Sequence, residues 1–322
     1  MQSRPGQFDR LRGATVLVTG GAGFIGSHLA EALLGLGAAV RVLDDLSTGV
    51  RANVPAGAEF IEASVLDGQA VGSAVRGCSV VFHQAAMVSV PRSVAEPAEC
   101  LRQNVMGTEH VLSGAVRAGV GRVVFAASGA AYGDRPSLPC REDAAPAPVS
   151  PYGMSKVAGE MLMAVFARQH GLSTVSLRYM NVYGPRQRPD GPYAAAVSAF
   201  ASALKSGRRP VVYGDGRQTR DWVHVSDVVS ANLLAATSER RLAGEVVNIG
   251  TGRREDLLAV LAALGEALGV RADPQFGPER AGDVRDAVAD IGRARALLGY
   301  EPRMDLRRGL AELAEPAGAV RA

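Results

Sequence analysis

The stretch that most restricts how this chain can fold lies near its start. An apolar, β-branched run, Thr15-Val16-Leu17-Val18-Thr19, leads directly into Gly20-Gly21-Ala22-Gly23-Phe24-Ile25-Gly26. Apolar residues then recur at helical spacing (Ile25, Leu29, Leu33, Leu36) as far as Gly37. A second run, Ala39-Val40-Arg41-Val42-Leu43, ends in Asp44. A buried strand, a glycine turn, a helix and a strand ending in an acid make a βαβ unit, which calls for a parallel sheet. Glycines at the turn let the backbone approach a pyrophosphate, and the helix N-terminus offers free N–H groups and a positive dipole end. Gly20, Gly23, Phe24, Ile25 and Gly26 are therefore expected to carry a dinucleotide. Asp44, with Asp45 beside it, can accept both hydroxyls of an adenosine ribose and would repel a 2′-phosphate, so NAD is expected rather than NADP.

The alternation continues down the chain. Strands are predicted over 59–63, 79–86, 122–128 and 173–179, with a helix over 104–116. The fourth strand ends in small residues, Ala85 and Ala86, that can pass close to a cofactor. His83 reads as a packed strand-end residue. Ser128 ends the fifth strand, and strand C-terminal ends line the crevice of an open parallel sheet. A proline-rich loop over 129–148 follows. After Asn181 the character changes to a basic loop, a helix, short strands, the turn Gly214-Asp215-Gly216 and a helix capped at Ser226-Asp227. The predicted architecture is α/β: a Rossmann-type doubly wound parallel sheet with a smaller C-terminal substrate-binding domain. Residues 1–180 are expected to bind the dinucleotide and residues 181–322 mainly the substrate, with a segment near 215–250 returning to the first sheet.

Ser150-Pro151-Tyr152-Gly153-Met154-Ser155-Lys156 then stands out. Pro151 suits the first turn of a helix. Val157, Ala158, Met161, Leu162, Val165 and Phe166 continue it at helical spacing. Tyr152 and Lys156 fall on one face, one turn apart. An ammonium beside a phenol favours the phenolate, so Lys156 is expected to lower the Tyr152 pKa and make it a usable base.

The chain has 322 residues, 47% apolar, and a formal net charge of +3. That is nearly neutral, and no basic run interleaved with aromatics points to nucleic acid. No apolar run reaches the roughly 18 residues of a membrane span. Residues 1–12 lack the apolar segment of a signal peptide and read as a short disordered lead. Cys78, Cys100 and Cys140 are odd in number and widely spaced, which argues for reduced thiols and a cytoplasmic location. The five histidines are scattered, so no metal site is expected.

The turn Thr19 to Gly26, Ser128 and Tyr152-x-x-x-Lys156, in that order, resemble the extended short-chain dehydrogenase/reductases, over residues 13 to about 313. Asn104-Val105-x-Gly107-Thr108, Arg178-Tyr179-x-Asn181-Val182-Tyr183-Gly184-Pro185, Arg220-Asp221-Trp222-Val223-His224-Val225 and Asn248-Ile249-Gly250-Thr251-Gly252 are similar to the nucleotide-sugar branch. The stretch from Arg280-x-Gly282-Asp283 through Asp290 to Leu298-Gly299-Tyr300-x-Pro302 resembles the UDP-hexose 4-epimerases. The resemblance implies Tyr152 as catalytic base, Lys156 as the group that lowers its pKa and binds the nicotinamide ribose, and Ser128 as partner of the sugar 4-oxygen. It implies Ser64, Val65, Ala85, Ala86, Asn104 and Tyr179 along the NAD. Asn181, Arg220 and Arg280 would lie along the UDP, the two arginines offering forks to the diphosphate. A homodimer formed through a four-helix bundle that includes the Tyr152 helix is the family expectation.

Departures narrow the choice. Related 4,6-dehydratases carry Asp-Glu where this chain has Gly129 and Ala130, and UDP-glucuronate decarboxylases carry Glu where Ala130 stands. Ser64 replaces an Asp that contacts adenine in many members. Ala287 falls where the epimerases guard the space around the sugar C2 substituent, and its small side chain leaves room for an N-acetyl group. The expected reaction is epimerisation at C4 of a UDP-hexose, either UDP-glucose/UDP-galactose or their N-acetyl counterparts. The rivals are a UDP-glucuronate 4-epimerase, another NAD-dependent UDP-sugar-modifying enzyme, or a non-catalytic NAD-binding regulator.

Overall fold

A computed structural model describes residues 6–134, 137–189, 196–279 and 284–314. In chain order its first strands are β1 (Thr15–Thr19), β2 (Ala39–Asp44), β3 (Glu59–Glu62), β4 (Val80–His83), β5 (Arg122–Ser128) and β6 (Ser173–Tyr179). Short strands β7 (Asn181–Tyr183), β8 (Val211–Tyr213), β9 (Thr219–Arg220) and β10 (Trp222–His224) precede β11 (Ala243–Ile249). Among the helices are α1 (Phe24–Gly35), α2 (Gly68–Ala74), α3 (Val90–Ala95), α4 (Pro97–Leu101), α5 (Gly107–Ala118), α6 (Pro151–His170), α7 (Ala196–Lys205) and α8 (Val225–Thr237). In the C-terminal part lie α9 (Leu257–Leu268), α10 (Gly292–Leu298) and α11 (Leu306–Ala314).

Seven strands form one parallel sheet in the order β11-β6-β5-β4-β1-β2-β3. Strand side chains alternate between faces, so continuous apolar runs bury on both sides. Val16, Val18, Val42 and Phe82 face one core with Leu29 and Leu33 of α1 and Val228 and Leu233 of α8. Leu17, Leu43, Val81 and Phe125 face the other, with Val71 of α2, Leu112 of α5 and Met163 of α6. Each such buried side chain stabilises by about 1.5–3 kcal/mol relative to exposure. The doubly wound α/β sheet expected from the pattern is what forms. Its order reverses beside β1, where β2 lies on one side and β4 on the other. The crevice for a ligand opens at that point, outside the strand C-terminal ends.

Two buried clusters leave a third for the C-terminal part. Tyr183, Phe200, Trp222, Leu261, Leu264 and Leu310 make an apolar centre from β7, β10, α7, α9 and α11. β7 pairs in parallel with β10, so the chain leaving β6 and the chain approaching α8 share a ribbon above the sheet. β11 then returns to pair with β6.

Several local expectations are revised. β4 stops at His83, because Gln84 makes one more bond to Thr19 and Ala85 then passes the glycine turn. The helix expected from Asn104 begins earlier, in α4, and passes through a π turn over Arg102–Met106 before α5. His224 is the N-cap of α8, with its ring nitrogen accepting from the Ser226 N–H; Asp227 lies inside the first turn and accepts from the Arg303 and Met304 amides instead. Phe8 and Leu11, placed in a disordered lead by the sequence, are buried in the first core around a 3-10 turn at Asp9–Leu11. Among the described residues no helix is long and apolar enough to cross a membrane.

Candidate active site

At the β1 end of the crevice the backbone itself forms the surface. Gly20 has φ +68°, a left-handed conformation that favours glycine, and a Cβ there would lie 2.7 Å from the Ala85 amide nitrogen. The loops after β1 and β4 can touch only because that carbon is missing. A Cβ on Gly26 would lie 2.2 Å from the Gly20 carbonyl oxygen, so α1 starts pressed onto the turn. Gly23 is the N-cap of α1 and supplies no capping side chain, and no acid stands in the first turn. The positive end of a 12-residue helix is therefore left without a side-chain cap. Asp44 is almost buried and accepts from the amides of Ala22 (3.0 Å) and Leu46 (2.9 Å). Burial lifts its carboxyl, and those two N–H groups pull it back. The Val50 amide bonds the Ala22 carbonyl, which folds the loop after Asp44 back over the turn. A glycine cradle, an uncapped helix end and an acid tied to the glycine turn are the groups a dinucleotide needs, so these residues fit NAD.

The residues expected to react lie along β5 and α6. Ser150 caps α6 by accepting from the Gly153 amide (3.1 Å), and Pro151 opens the helix. A Cβ on Gly153 would meet the Ala130 carbonyl at 2.7 Å, and one on Gly159 would meet the Phe125 ring at 2.4 Å. These two glycines let α6 lie close on β5, which places Lys156 directly over that strand. Its Nζ donates to the Ala126 carbonyl (2.8 Å) and stands 5.9 Å from the centre of the Tyr152 ring and 5.0 Å from that of Phe125. Ser128 closes β5 and accepts from the Ala130 amide (3.1 Å). The structure brings Ser128, Tyr152 and Lys156 together as the sequence predicts.

The electrostatics differ from the sequence expectation. Burial pushes the Tyr152 phenol up, the hydrogen bond with Ser128 pulls it down, and Cys100 raises it further. Lys156 is not the group that offsets burial. Its own ammonium is held down to about 8 by burial, against raising effects from Cys100 and Glu160. An ammonium in that environment is strained and gains from any added hydrogen-bond acceptor, such as ribose hydroxyls.

Among the C-terminal segments, Asp221 is fully buried and its carboxylate accepts four hydrogen bonds: from the Thr251 amide and hydroxyl (both 2.7 Å), the Gly252 amide (3.0 Å) and the Ala289 amide (3.2 Å). Its backbone carbonyl accepts from the Asn181 amide (3.0 Å). One residue thus joins β7, the loop after β11 and the strand-like segment that carries Ala287. Ala287 itself donates its amide to the Thr219 carbonyl (3.1 Å) and is half-buried against the first core. Arg220 is buried and donates to the carbonyls of Thr219 (2.9 Å) and Arg285 (3.2 Å). Asn181, Arg220 and Ala287 therefore share a neighbourhood. Arg280 lies outside the described residues.

Other residues expected along the cofactor also hold the fold together. Asn104 is buried and holds both backbone groups of Met87 (2.7 and 3.0 Å) and the Ser155 hydroxyl (2.9 Å). It ties the loop after β4 to α6. The Tyr179 hydroxyl bonds Asn232 and Gln84, and burial pushes it up to about 12. Asp45 caps its own turn through Ser47, Ser64 accepts from the Leu66 amide, and Val65 is buried with its carbonyl toward His110. Ala86 lies between the Gly20 contact and the Met87 anchor, in the loop expected to border the cofactor. His83 is buried between the hydroxyls of Thr19 and Thr108, as a packed residue. Sequence reasoning missed Asp221 as a hub; partners so far apart in the chain give no local sign of it.

Comparison with known proteins places this geometry. Residues 16–250 match the model of the NAD dependent epimerase/dehydratase family. The UDP-glucose 4-epimerase of Mycolicibacterium smegmatis is 40% identical over 306 residues, covering 93% of this chain and 97% of that one. The UDP-glucose 4-epimerase of Thermus thermophilus, solved as its complex with NAD, superposes with a TM-score of 0.87 at 39% identity, covering 95% of this chain and 100% of that one. The UDP-N-acetylglucosamine 4-epimerase of Methanobrevibacter ruminantium, solved with UDP-N-acetylmuramic acid, gives 0.90 at 33% identity, covering 94% and 97%. The chain belongs to the NAD-dependent epimerase/dehydratase family, as an enzyme of its UDP-glucose 4-epimerase-like branch.

Proposed function

We propose that this enzyme interconverts the C4 epimers of a UDP-hexose, with UDP-glucose and UDP-galactose as one pair and their N-acetyl counterparts as a second. Tyr152 takes the proton of the sugar 4-hydroxyl and later returns it. Ser128 is bonded to that phenol and orients the 4-oxygen. NAD, when bound, accepts and gives back the C4 hydride, with no net redox change. Lys156 binds the nicotinamide ribose through its ammonium and keeps positive charge behind the phenol. Gly20, Gly23, Gly26 and Asp44 hold the dinucleotide, with Phe24 and Ile25 at the helix start. Asn181, Arg220 and Arg280 hold the UDP, and Ala287 leaves space at C2. Residues 1–180 serve NAD, and residues 181–322 mainly serve the sugar nucleotide.

One observation carries the reading. Tyr152, Ser128 and Lys156 converge at the C-terminal end of β5, while the next positions, Gly129 and Ala130, bear no acid or base. A phenolate so placed can work at C4, but neither of those two neighbours can take the C5 proton or expel the 6-hydroxyl as a dehydration requires. Incubation with UDP-glucose, UDP-GlcNAc and UDP-glucuronate, followed by separation of C4 epimers, tests it. Epimers of UDP-glucose, with or without those of UDP-GlcNAc, are expected. Turnover of UDP-glucuronate alone would make the enzyme a uronate 4-epimerase, and a 4-keto-6-deoxy product would make it a dehydratase.

Met106, Met154, Met161 and Val165 are exposed on α6 and the turn before α5. That apolar face supports a homodimer in which α5 and α6 of two copies form a four-helix bundle. Cys78, Cys100 and Cys140 are buried thiols outside any disulfide, which supports a reducing, cytoplasmic setting.

A further inference from the structure

The loop leaving β7 crosses from the sugar-facing part of the molecule to the cofactor helix. Its Arg186 has φ +64°, a left-handed conformation that a non-glycine residue adopts only at a penalty. From there the guanidinium reaches Glu31 and the Ser27 hydroxyl (3.4 Å), both on α1. One residue earlier, the Pro185 carbonyl is 2.9 Å from the His28 Nε2. The His28 ring in turn packs edge-on against Phe24, the first residue of α1, at 6.0 Å between centres. Burial lowers the His28 pKa, so the neutral ring donates that bond through its Nε2–H near neutral pH. Two residues later, Arg188 reaches the Thr48 carbonyl (3.5 Å) in the loop after Asp44. The strap therefore rests on both walls of the nucleotide crevice: the first turns of α1 on one side and the loop after Asp44 on the other.

An epimerase of this kind ends each cycle with the cofactor in its starting state, so nothing in the chemistry requires the dinucleotide to leave. A strap anchored on both walls would suit such an enzyme. We propose that Arg186 is a positioning residue for the cofactor: through Glu31 and Ser27, and alongside the His28–Pro185 bond, it closes the 185–188 strap over the nucleotide crevice and slows NAD release. The proposal rests on NAD lying in the glycine cradle between Asp44 and α1. It also makes the strap a link between the lobes, because the strand it leaves carries Asn181.

Two variants separate strap from structure. Arg186→Gly removes the guanidinium and suits the left-handed backbone, so the cofactor-free protein should melt at the same temperature or higher. Glu31→Gln keeps the loop and removes only the carboxylate. NAD-loaded holoenzyme is diluted into excess labelled NAD, and the rate at which label replaces bound NAD gives the dissociation rate. A partly exposed ion pair supports an increase of roughly threefold to fivefold in either variant. In about 1 M salt the wild-type rate should rise toward that of the variants, which should themselves change little. Equal dissociation rates in wild type and both variants, at low and high salt, would overturn the strap. A wild-type protein that binds no NAD would instead overturn the placement of NAD in the cradle, and the two failures are distinct.

Discussion

The end of the crevice proposed for the nucleotide is built around one uninterrupted stretch, Gly20 to Gly26, whereas the end proposed for the sugar takes pieces from four stretches between Asn181 and Ala289. The first is a backbone surface, set by Gly20 and Gly26, whose missing carbons would otherwise lie 2.7 and 2.2 Å from neighbouring backbone atoms. The second is a side-chain construction, in which the buried Asp221 carboxylate draws together amides from Thr251, Gly252 and Ala289. Such a difference would let one fold keep its cofactor while its substrate changes. A backbone cradle tolerates almost no substitution. A hub fixes where the segments go and constrains the residues on those segments less directly than a backbone cradle does.

The residues proposed to react sit between the two ends, and the largest effect is expected there. Tyr152→Phe removes the base and should lower kcat by on the order of 10²–10⁴ in an epimerisation assay. Bound NAD, measured by chromatography after release, should be unchanged. Loss of both activity and NAD would place Tyr152 in the nucleotide end instead.

Gly26→Ala tests the cradle. Its methyl would meet the Gly20 carbonyl, and overpacking of that kind typically costs about 1–3 kcal/mol. NAD content should fall sharply while the sugar end, if the protein is given excess NAD, keeps its KM for the UDP-sugar. Asp221→Asn tests the hub. It preserves shape but turns an amide donor toward backbone donors, and a buried group left unsatisfied costs about 1–3 kcal/mol. The expected sign is a KM for the UDP-sugar raised roughly tenfold, with NAD content near that of wild type. Equal loss of NAD and substrate affinity would mean that the two ends are one unit.

The smallest expected effect concerns pH. Burial holds His83 down to about 3 and His224 down to about 4, from a usual value of 6.5. The unfolded chain takes up protons at these sites below pH 6.5 while the folded chain does not. Their contribution is fully present above about pH 6.5 and is lost as pH falls toward about 4 for His224 and about 3 for His83. Thermal melts at about pH 7 and about pH 5 should show a drop that shrinks in His224→Gln.

Much of the end proposed for the nucleotide was legible in the sequence because its logic is local. Strand, glycines, helix and Asp44 follow one another, and the structure places them as a cradle. Ser128, Tyr152 and Lys156 were legible for a similar reason: a strand end and one helix turn suffice to set them near each other. Hidden from the sequence was the balance of charges around Tyr152. Its burial and the Ser128 bond depend on Gly153 and Gly159 letting α6 settle onto β5, a tertiary fact. Asp221 was visible only as part of a motif, since its partners lie 30 and 68 positions away along the chain. Phe8 and Leu11 were misplaced because a short polar lead gives no periodicity from which to read burial.

Everything assigned to Tyr152 depends on a reversible oxidation confined to C4. UDP-glucose carrying deuterium at C4 probes that step, with the position of the label in the product read by NMR. UDP-galactose with the deuterium retained at C4, and no label gained from solvent, is the expected product. Deuterium found at C6 of a 4-keto product, or lost to solvent, would contradict it.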